Sequence, residues 1–283
     1  MTSATLAGRT LLEQTLHVTG EMKDDEIDLA NVALVLAALD QPEIDLAPYR
    51  AHLNDLAHDV GAKIPGGAEH NVMRRARALA DVISHEHGYA GDETSYDDPK
   101  NADLMQVIDR RKGLPVALAI LYLDIARRLG WEATGINFPS HFLIRLGLGA
   151  MRIIVDPFHG GAERSVADLR ALLKQVAGLD AELEPAHYAP IGKRDTLIRL
   201  LNNIKIRALA DGDVARGAEI IDRMMMIAPG AAFLLFEAGA CHAKTGNLIR
   251  AAKALEAFLA SGPVAAARGE AEALLRQVRQ QLN

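Results

Sequence analysis

A histidine and an aspartate flank one predicted β-turn and have the side chains for acid–base chemistry. They are His141 and Asp156, in the segment GINFPSHFLIRLGLGAMRIIVDPFHGG at residues 135–161. If the two strands pair antiparallel about a turn centred between Leu148 and Gly149, paired residue numbers add to 297, as 141 and 156 do. Directly opposed residues have Cβ atoms about 4.5–5.5 Å apart, so the imidazole would reach the carboxylate. A carboxylate on one ring nitrogen fixes the tautomer and leaves the other nitrogen as a base, as in Cys-His-Asp and Ser-His-Asp catalysis.

The residues leave two interpretations of this pair open. In the first, His141 and Asp156 belong to a catalytic site. In the second, they form a buried polar pair that fixes the hairpin register, and Asp156 with the following proline starts a turn. A nucleophile would decide between them, but the one cysteine, Cys241, lies far away in EAGACHAKTG, where a small half-buried residue suits a pair of helices. Ser140 directly precedes His141, so on a strand its hydroxyl points to the opposite face.

Two further groups of side chains could bind ligands. His85 and His87 lie two residues apart near a predicted helix end and, with His159, could bind a metal, although histidines at a helix C-terminus also favour its dipole. Three consecutive cations precede the central helix: Arg110, Arg111 and Lys112. They could hold a substrate carboxylate or an acidic peptide beside His141, or they could be a solvated run of charge. We expect neither a metal nor a cofactor.

Composition narrows the classes of partner. A net charge of −6 and a pI of about 5.9 give no broad attraction to nucleic acid or to anionic membranes. Wholly apolar runs such as VALAILYL at 116–123 are too short to span a bilayer, and the N-terminus does not follow the pattern of a signal peptide. One cysteine excludes an internal disulfide framework. We therefore expect a cytoplasmic protein that binds neither nucleic acid nor membrane.

The elements that would position these residues follow a mixed order, which predicts an α+β class. Helical periodicity fills residues 1–90, with breaks at Gln41-Pro42 and Pro65-Gly66-Gly67, and predicts a helical bundle. Residues 91–190 hold the α+β core. It contains a helix at 115–130 that is apolar around most of its circumference, strands at 131–138, 141–146 and 151–156, and a helix capped by Ser165 and Asp168.

Residues 195–283 contain an internal repeat. Gly212, Arg216, Ala218 and Pro229 recur as Gly246, Arg250, Ala252 and Pro263, each 34 residues later. This period, with a glycine turn between two helices and a closing proline, is typical of tetratricopeptide helical hairpins. Lys205 occupies a position of the first unit where a small residue is usual. Because two repeats are too few to be stable alone, residues 264–282 are expected to form a capping helix.

Three ordered motifs also carry a family resemblance: RRKGLPVALAILYLDIARRLGW, FPSHFLIR and VDPFHGG. With the 34-residue repeat they resemble the SirB-type branch of transglutaminase-like proteins, bacterial chains that join this core to C-terminal tetratricopeptide repeats. The resemblance covers residues 80–265 and implies a papain-like fold, with a catalytic cysteine at the start of the central helix and His and Asp on neighbouring strands. His141 and Asp156 match that pair, but the nucleophile position falls at Pro115. No Ser, Thr or Cys lies between Leu104 and Ala133.

Two functions from different classes fit these observations. The first is a noncatalytic protein-binding or regulatory accessory protein, whose degenerate transglutaminase-like cleft and repeats hold a protein or peptide partner. The alternative is a hydrolase of amide or ester bonds, in which His141, oriented by Asp156, acts as a general base without a covalent intermediate. Whether the second ring nitrogen of His141 is open or bonded separates the two. The oligomeric state stays open.

Overall fold

The computed structural model describes residues 3–64 and 71–282, and the predicted break at Pro65-Gly66-Gly67 lies outside them. The described residues form helices α1 (Ser3–Glu21), α2 (Leu29–Ala38), α3 (Ala47–Ala62), α4 (Val72–Leu79), α5 (Leu104–Arg110), α6 (Pro115–Arg128), α7 (Val166–Ala177), α8 (Lys193–Ala210), α9 (Val214–Ile227), α10 (Ala232–Lys244), α11 (Leu248–Ala260) and α12 (Ala265–Leu282). A π-helical segment, Ala80–Glu86, continues α4. Contacts divide the chain into two compact units, Met1–Leu12 with Lys23–Leu200 and Glu13–Met22 with Leu201–Asn283.

The first unit holds the strands. They are β1 (Ala90–Gly91), β2 (Lys112–Gly113), β3 (Glu132–Ile136), β4 (Leu143–Leu148), β5 (Met151–Asp156), β6 (Ala162–Arg164) and β7 (Pro190–Ile191). An antiparallel sheet has the order β6-β5-β4-β3-β7, and β1 pairs separately and in parallel with β2. Helices on a mixed set of strands confirm the predicted α+β class.

Helix α6 is the centre of this unit. It begins with proline at its first position, where the missing N–H costs no helical hydrogen bond, and every residue from Pro115 to Ala126 is buried. The polar residues near its C-terminal end form hydrogen bonds with one another. The buried carboxylate of Asp124 accepts hydrogen bonds from Arg128 Nε at 2.6 Å and from Arg127 Nη2 at 2.9 Å. Helices α2 and α3 contact α6, so these two helices belong to the same compact unit as the sheet, whereas α1 is divided between the two units.

The hairpin that carries the candidate site has a different register from the predicted one. Strands β4 and β5 are joined by a two-residue turn, Gly149-Ala150, and their paired residue numbers add to 299. The predicted sum of 297 is wrong, because β4 continues through Gly147 and Leu148. Gly147 pairs with Glu132 of β3, and a Cβ at Gly147 would lie 2.7 Å from the Glu132 carboxylate, so a larger residue there would require that flexible side chain to move. Gly149 then supplies the positive φ, 58°, that a tight hairpin turn requires.

The second unit is helical throughout its described residues and confirms the predicted repeat. Helices α9, α10, α11 and α12 pack in sequence, and Gly212 and Gly246 adopt positive φ angles of 81° and 77° at equivalent turns. The predicted capping helix is α12. Lys205, on α8, is buried at 6% exposure because its Nζ donates to Glu237 Oε2 at 2.6 Å, so an ion pair replaces the usual small residue.

Candidate functional site

His141 and Asp156 are in contact although the predicted register is wrong. His141 Nε2 lies 2.9 Å from Asp156 Oδ1, and both residues are buried. Asp156 is the last residue of β5, opposite the start of β4, whereas His141 lies in the turn before β4. Ser140 adopts a φ of 56° in that turn, and the His141 N–H donates to the Phe138 carbonyl at 2.9 Å. The turn therefore brings the imidazole diagonally to the aspartate, and the two residues are not an opposed strand pair.

The Asp156 carboxylate accepts far more hydrogen bonds than this one. Its Oδ1 also accepts from the backbone N–H groups of Phe158 at 3.1 Å and His159 at 3.3 Å. Its Oδ2 accepts from His159 Nδ1 at 2.8 Å and from Arg164 Nη2 at 2.8 Å and Nε at 3.0 Å. We call these residues, with His141, the Asp156 cluster. Burial alone would raise the pKa of Asp156, but the bonds and charges of His141, Arg164 and His159 lower that pKa well below its ordinary value.

An ionised Asp156 fixes the tautomers of both histidines. Because a carboxylate only accepts hydrogen bonds, His141 carries its proton on Nε2 and His159 carries one on Nδ1. His141 Nδ1 has no hydrogen-bond partner in the described part of the chain. This is the nitrogen that a general base would use, so the geometry keeps both interpretations of the pair.

Sequence reasoning missed two members of the cluster, His159 and Arg164. His159 was considered only as a metal ligand, although Asp156-Pro157 followed by an aromatic and a histidine is a turn in which the aspartate caps the next residues. Arg164 lies on β6 opposite Ile154, two residues from Asp156 along β5. The strand β6 had no sequence signal of its own, because it has only three residues.

An aromatic side chain connects the cluster to the start of α6. The Phe158 ring meets His141 edge-on with centroids 5.9 Å apart, and Tyr96 meets Phe158 at the same distance. A Cβ at Gly91 would lie 2.5 Å from the Phe158 ring, so only glycine fits there. Gly91 pairs with Gly113, two residues before Pro115, where α6 starts. This series of contacts fixes the entry to α6 relative to His141.

The residue at the start of α6 has no nucleophilic group. Pro115 is buried and has neither a reactive side chain nor a backbone N–H to donate to an oxyanion. The N–H of the preceding Leu114 is already bonded to the Asn101 carbonyl at 2.8 Å. Cys241 lies in α10 of the second unit, and burial raises its thiol pKa. Ser140 is exposed in its turn.

The three predicted anion-binding cations have different surroundings. Arg110 donates to Asp92 Oδ2 and to Asn101 Oδ1, both at 3.1 Å. Arg111 bonds to the Tyr89 hydroxyl and to His52, and its guanidinium lies 4.6 Å from the centre of the Tyr89 ring. Lys112 is exposed. The two arginines thus hold their own segment in place, and Lys112 is left as the cation that faces solvent.

The structure separates the predicted metal-ligand histidines. His85 bonds to Asp81, one turn earlier in the same helical segment, and His87 bonds to Asp59 on α3. In the described ranges, the side chains close enough to share a metal ion are those of the Asp156 cluster: His141, Asp156 and His159, with ligand atoms within 4.8 Å of one another. Arg164 already donates two hydrogen bonds to this carboxylate, so the cluster is satisfied by its own donors.

Comparison with known families assigns this fold. A family model for the transglutaminase-like superfamily matches residues 47–202, and one for tetratricopeptide repeats matches residues 204–283. The chain belongs to the transglutaminase-like superfamily. The predicted resemblance is confirmed for both parts. In this transglutaminase-like chain, no helix of the described residues is both long and apolar enough to cross a membrane.

Relatives of this transglutaminase-like chain include bacterial and animal proteins. A UPF0162 protein of Xylella fastidiosa is 27% identical over 239 residues, 83% of this chain and 84% of that protein. A UPF0162 protein of Pseudomonas aeruginosa is 30% identical over 201 residues, 71% of this chain and 72% of that protein. The F-box only protein 21 of Mus musculus is 30% identical over 135 residues, 45% of this chain and 21% of that protein. No solved structure gives a significant match.

Proposed function

We propose that this chain is a noncatalytic protein-binding accessory protein of the cytoplasm, built on a transglutaminase-like core. The observation that carries the proposal is Pro115, buried at the first position of α6, where the family's fold would place the nucleophile. A proline there removes the thiol and also the backbone N–H that would stabilise an oxyanion. Both losses fall on the same step of acyl transfer.

The charge balance of the Asp156 cluster supports the same conclusion. In a catalytic triad the carboxylate stabilises the imidazolium that forms when the histidine takes a proton. Here Arg164 donates two hydrogen bonds to Asp156 Oδ2 and neutralises that carboxylate. Less of the negative charge is left to stabilise a protonated His141, which favours a structural role for the pair.

Hydrolysis of p-nitrophenyl acetate tests the absence of catalysis. The wild type is compared with His141→Asn and with His58→Asn, a matched change of an exposed histidine on α3. We expect the same rate per molecule from all three proteins. A rate that falls only in His141→Asn, with one ionisation in its pH profile, would overturn the noncatalytic proposal.

Affinity capture from the source cells tests the binding function. Baits are the wild type, His58→Asn, His141→Asn and Phe233→Ser, since Phe233 is an apolar side chain on α10 that is 52% exposed. We expect a protein captured by the first two baits. Reduced capture by His141→Asn would place binding beside the Asp156 cluster, reduced capture by Phe233→Ser would place it on the repeats, and equal capture by all four baits would place it on another surface. Failure of every bait to capture a protein counts against the proposal.

A second candidate function is hydrolysis of amide or ester bonds with His141 as a general base. The observation that favours it is that His141 Nδ1 has no hydrogen-bond partner among the residues that the structure describes, while Nε2 is held by Asp156 at 2.9 Å. It predicts the opposite outcome of the ester assay, a rate that depends on His141 and not on His58.

A further inference from the structure

A cavity of about 380 Å³ lies in the first unit beside one edge of the sheet, lined by none of the Asp156 cluster residues. We call it the β3-edge cavity. Its apolar walls come from α2, α6, the start of β3 and β7: Leu29, Leu123, Trp131 and Ile191. Trp131 is the single tryptophan of the chain. The cavity is large enough for one or two side chains of a ligand.

The backbone of β3 is exposed along part of this cavity. Strand β7 pairs with β3 only at Gly135–Ile191 and Ile136–Pro190. Pro190 has no N–H, so the hydrogen-bonded pair of this ladder is Gly135 with Ile191. The N–H and C=O groups of successive residues point to alternate sides of a strand. Those of Ala133, two residues before Gly135, therefore point to the same side as those of Gly135, toward β7. No strand of the described residues pairs with Ala133 on that side.

The chain leaves this edge because a helix begins. Asp24 caps α8, accepting from the N–H of Lys193 and of Arg194, each at 2.9 Å. A Cβ at Gly192 would lie 2.7 Å from that carboxylate, so β7 ends directly against it. The open position beside Ala133 is therefore built into the fold.

The charges of the cavity favour a cation. Four acidic side chains line it against two basic ones: Asp24, Asp25, Asp124 and Glu132 against Arg127 and Lys193. Three of the acidic groups have partners within the protein: Asp24 caps α8, Asp124 pairs with Arg127 and Arg128, and Glu132 pairs with Arg152 at 3.0 Å. Lys193 Nζ is occupied by the carbonyls of Asp25 and Ile27, at 2.7 and 2.8 Å. The Asp25 side chain is exposed and has no ion pair within the described ranges.

We propose that the β3-edge cavity binds an extended, basic segment of a partner protein. The segment pairs with the N–H and C=O of Ala133 as an added strand, places an apolar side chain against Trp131 and directs a lysine or arginine to Asp25. An isolated organic cation would use only the carboxylates, whereas the open backbone edge requires a peptide. This inference rests on the proposed protein-binding function and assigns it a site away from His141.

A direct test uses the fluorescence of Trp131 and a synthetic probe, acetyl-Val-Lys-Val-Lys-Val-amide, with calorimetry in parallel. We expect a saturable change with this peptide and none with the glutamate analogue acetyl-Val-Glu-Val-Glu-Val-amide. N-methylation of the central valine removes one strand hydrogen bond and should weaken binding about threefold to tenfold. Asp25→Asn should weaken binding about twofold to fivefold, and Asp180→Asn, an exposed control elsewhere, should not change it.

Several outcomes would overturn the inference. If the N-methylated peptide binds with full affinity, the ligand does not pair with β3 as a strand. If butylammonium ion binds as tightly as the lysine peptide, the cavity is a site for small cations. Heat of binding without a change at Trp131, or no binding of the lysine peptide, would exclude this cavity. If a partner captured from cells binds Asp25→Asn as well as wild type, this inference fails and the proposed function stands; if no protein is captured, the proposed function fails.

Discussion

Replacing Asp156 by asparagine should destabilise the first unit by about 2–4 kcal/mol. Six hydrogen-bond donor groups converge on this carboxylate, and asparagine has one acceptor oxygen and one NH2 in its place. If the oxygen stays on the Oδ1 side, the NH2 group faces Arg164 and His159, and the guanidinium loses its counter-charge. Breaking a buried ion pair from one side costs about 3–5 kcal/mol. Arg164 is 25% exposed and partly hydrated, which lowers that figure to about 2–4 kcal/mol.

Urea unfolding followed by Trp131 fluorescence measures this loss, because the single tryptophan lies in the same unit as Asp156. The double variant Asp156→Asn, Arg164→Met removes the stranded charge and should recover at least about 1 kcal/mol relative to Asp156→Asn alone. A loss below about 1 kcal/mol in the single variant, or no recovery in the double variant, would refute the view that the carboxylate is held mainly as the counter-charge of these donors.

The Asp156 cluster also makes the stability of the first unit depend on pH under acidic conditions. Because the folded pKa of Asp156 is lowered, its contribution is complete above the unfolded value and is lost as the pH falls below about 4 toward the folded pKa. Asp156→Asn cannot lose this contribution. Its stability should therefore fall less than that of wild type between pH 5 and pH 3, as measured by the same urea midpoints.

Two further predictions concern positions around the start of α6. Gly91→Ala places a Cβ 2.5 Å from the Phe158 ring and should lower the free energy of unfolding by about 1–3 kcal/mol, as measured by thermal unfolding. The control Gly269→Ala, in α12 with no atom within 4 Å of the new Cβ, should raise it by about 0.5–1 kcal/mol. Equal effects of the two substitutions would contradict the contact between Gly91 and Phe158. Burial, then the Arg111 charge, lowers the pKa of His52 from 6.5 to about 4, so wild type should lose stability as the pH falls from 6.5 to 4. After halving for partial exposure this loss is about 1.5 kcal/mol, and it should be absent in His52→Gln, which keeps an acceptor without the titration.

Spacing along the chain predicted the elements better than it predicted their register. The buried α6, the two strands of the hairpin and the 34-residue repeat follow from periodicity and from turn residues, which are local. The register depends on whether β4 stops before Gly147 or includes it, and Gly147 pairs on both sides, with Glu132 of β3 and with Arg152 of β5, which are not its neighbours in sequence. The contact between His141 and Asp156 was predicted for the wrong reason, because a positive-φ turn at Ser140 makes it.

The surroundings of the charged residues were beyond local reasoning. Arg110 and Arg111 could be identified as cations beside a helix start, but their partners come from distant segments, Asp92 for one and Tyr89 with His52 for the other. A guanidinium that already bonds to a partner within the protein is less available to a ligand, and the neighbouring residues in the sequence do not reveal that partner. A run of cations therefore predicts a ligand site only after its internal partners are known.

The Asp156 cluster gives the histidine and the aspartate a physical role that needs no nucleophile. Asp156 ends β5, caps the turn that follows it and joins that turn to β6 through Arg164. His141 donates to the same carboxylate from the turn before β4, so one side chain connects that turn, β5, the turn after β5 and β6. The hydrogen bonds to this carboxylate therefore stabilise the fold whether or not a thiol is present at the start of α6. Under this argument restoring the nucleophile, as in Pro115→Cys, is not enough for catalysis, because Arg164 still neutralises the group that must stabilise the imidazolium.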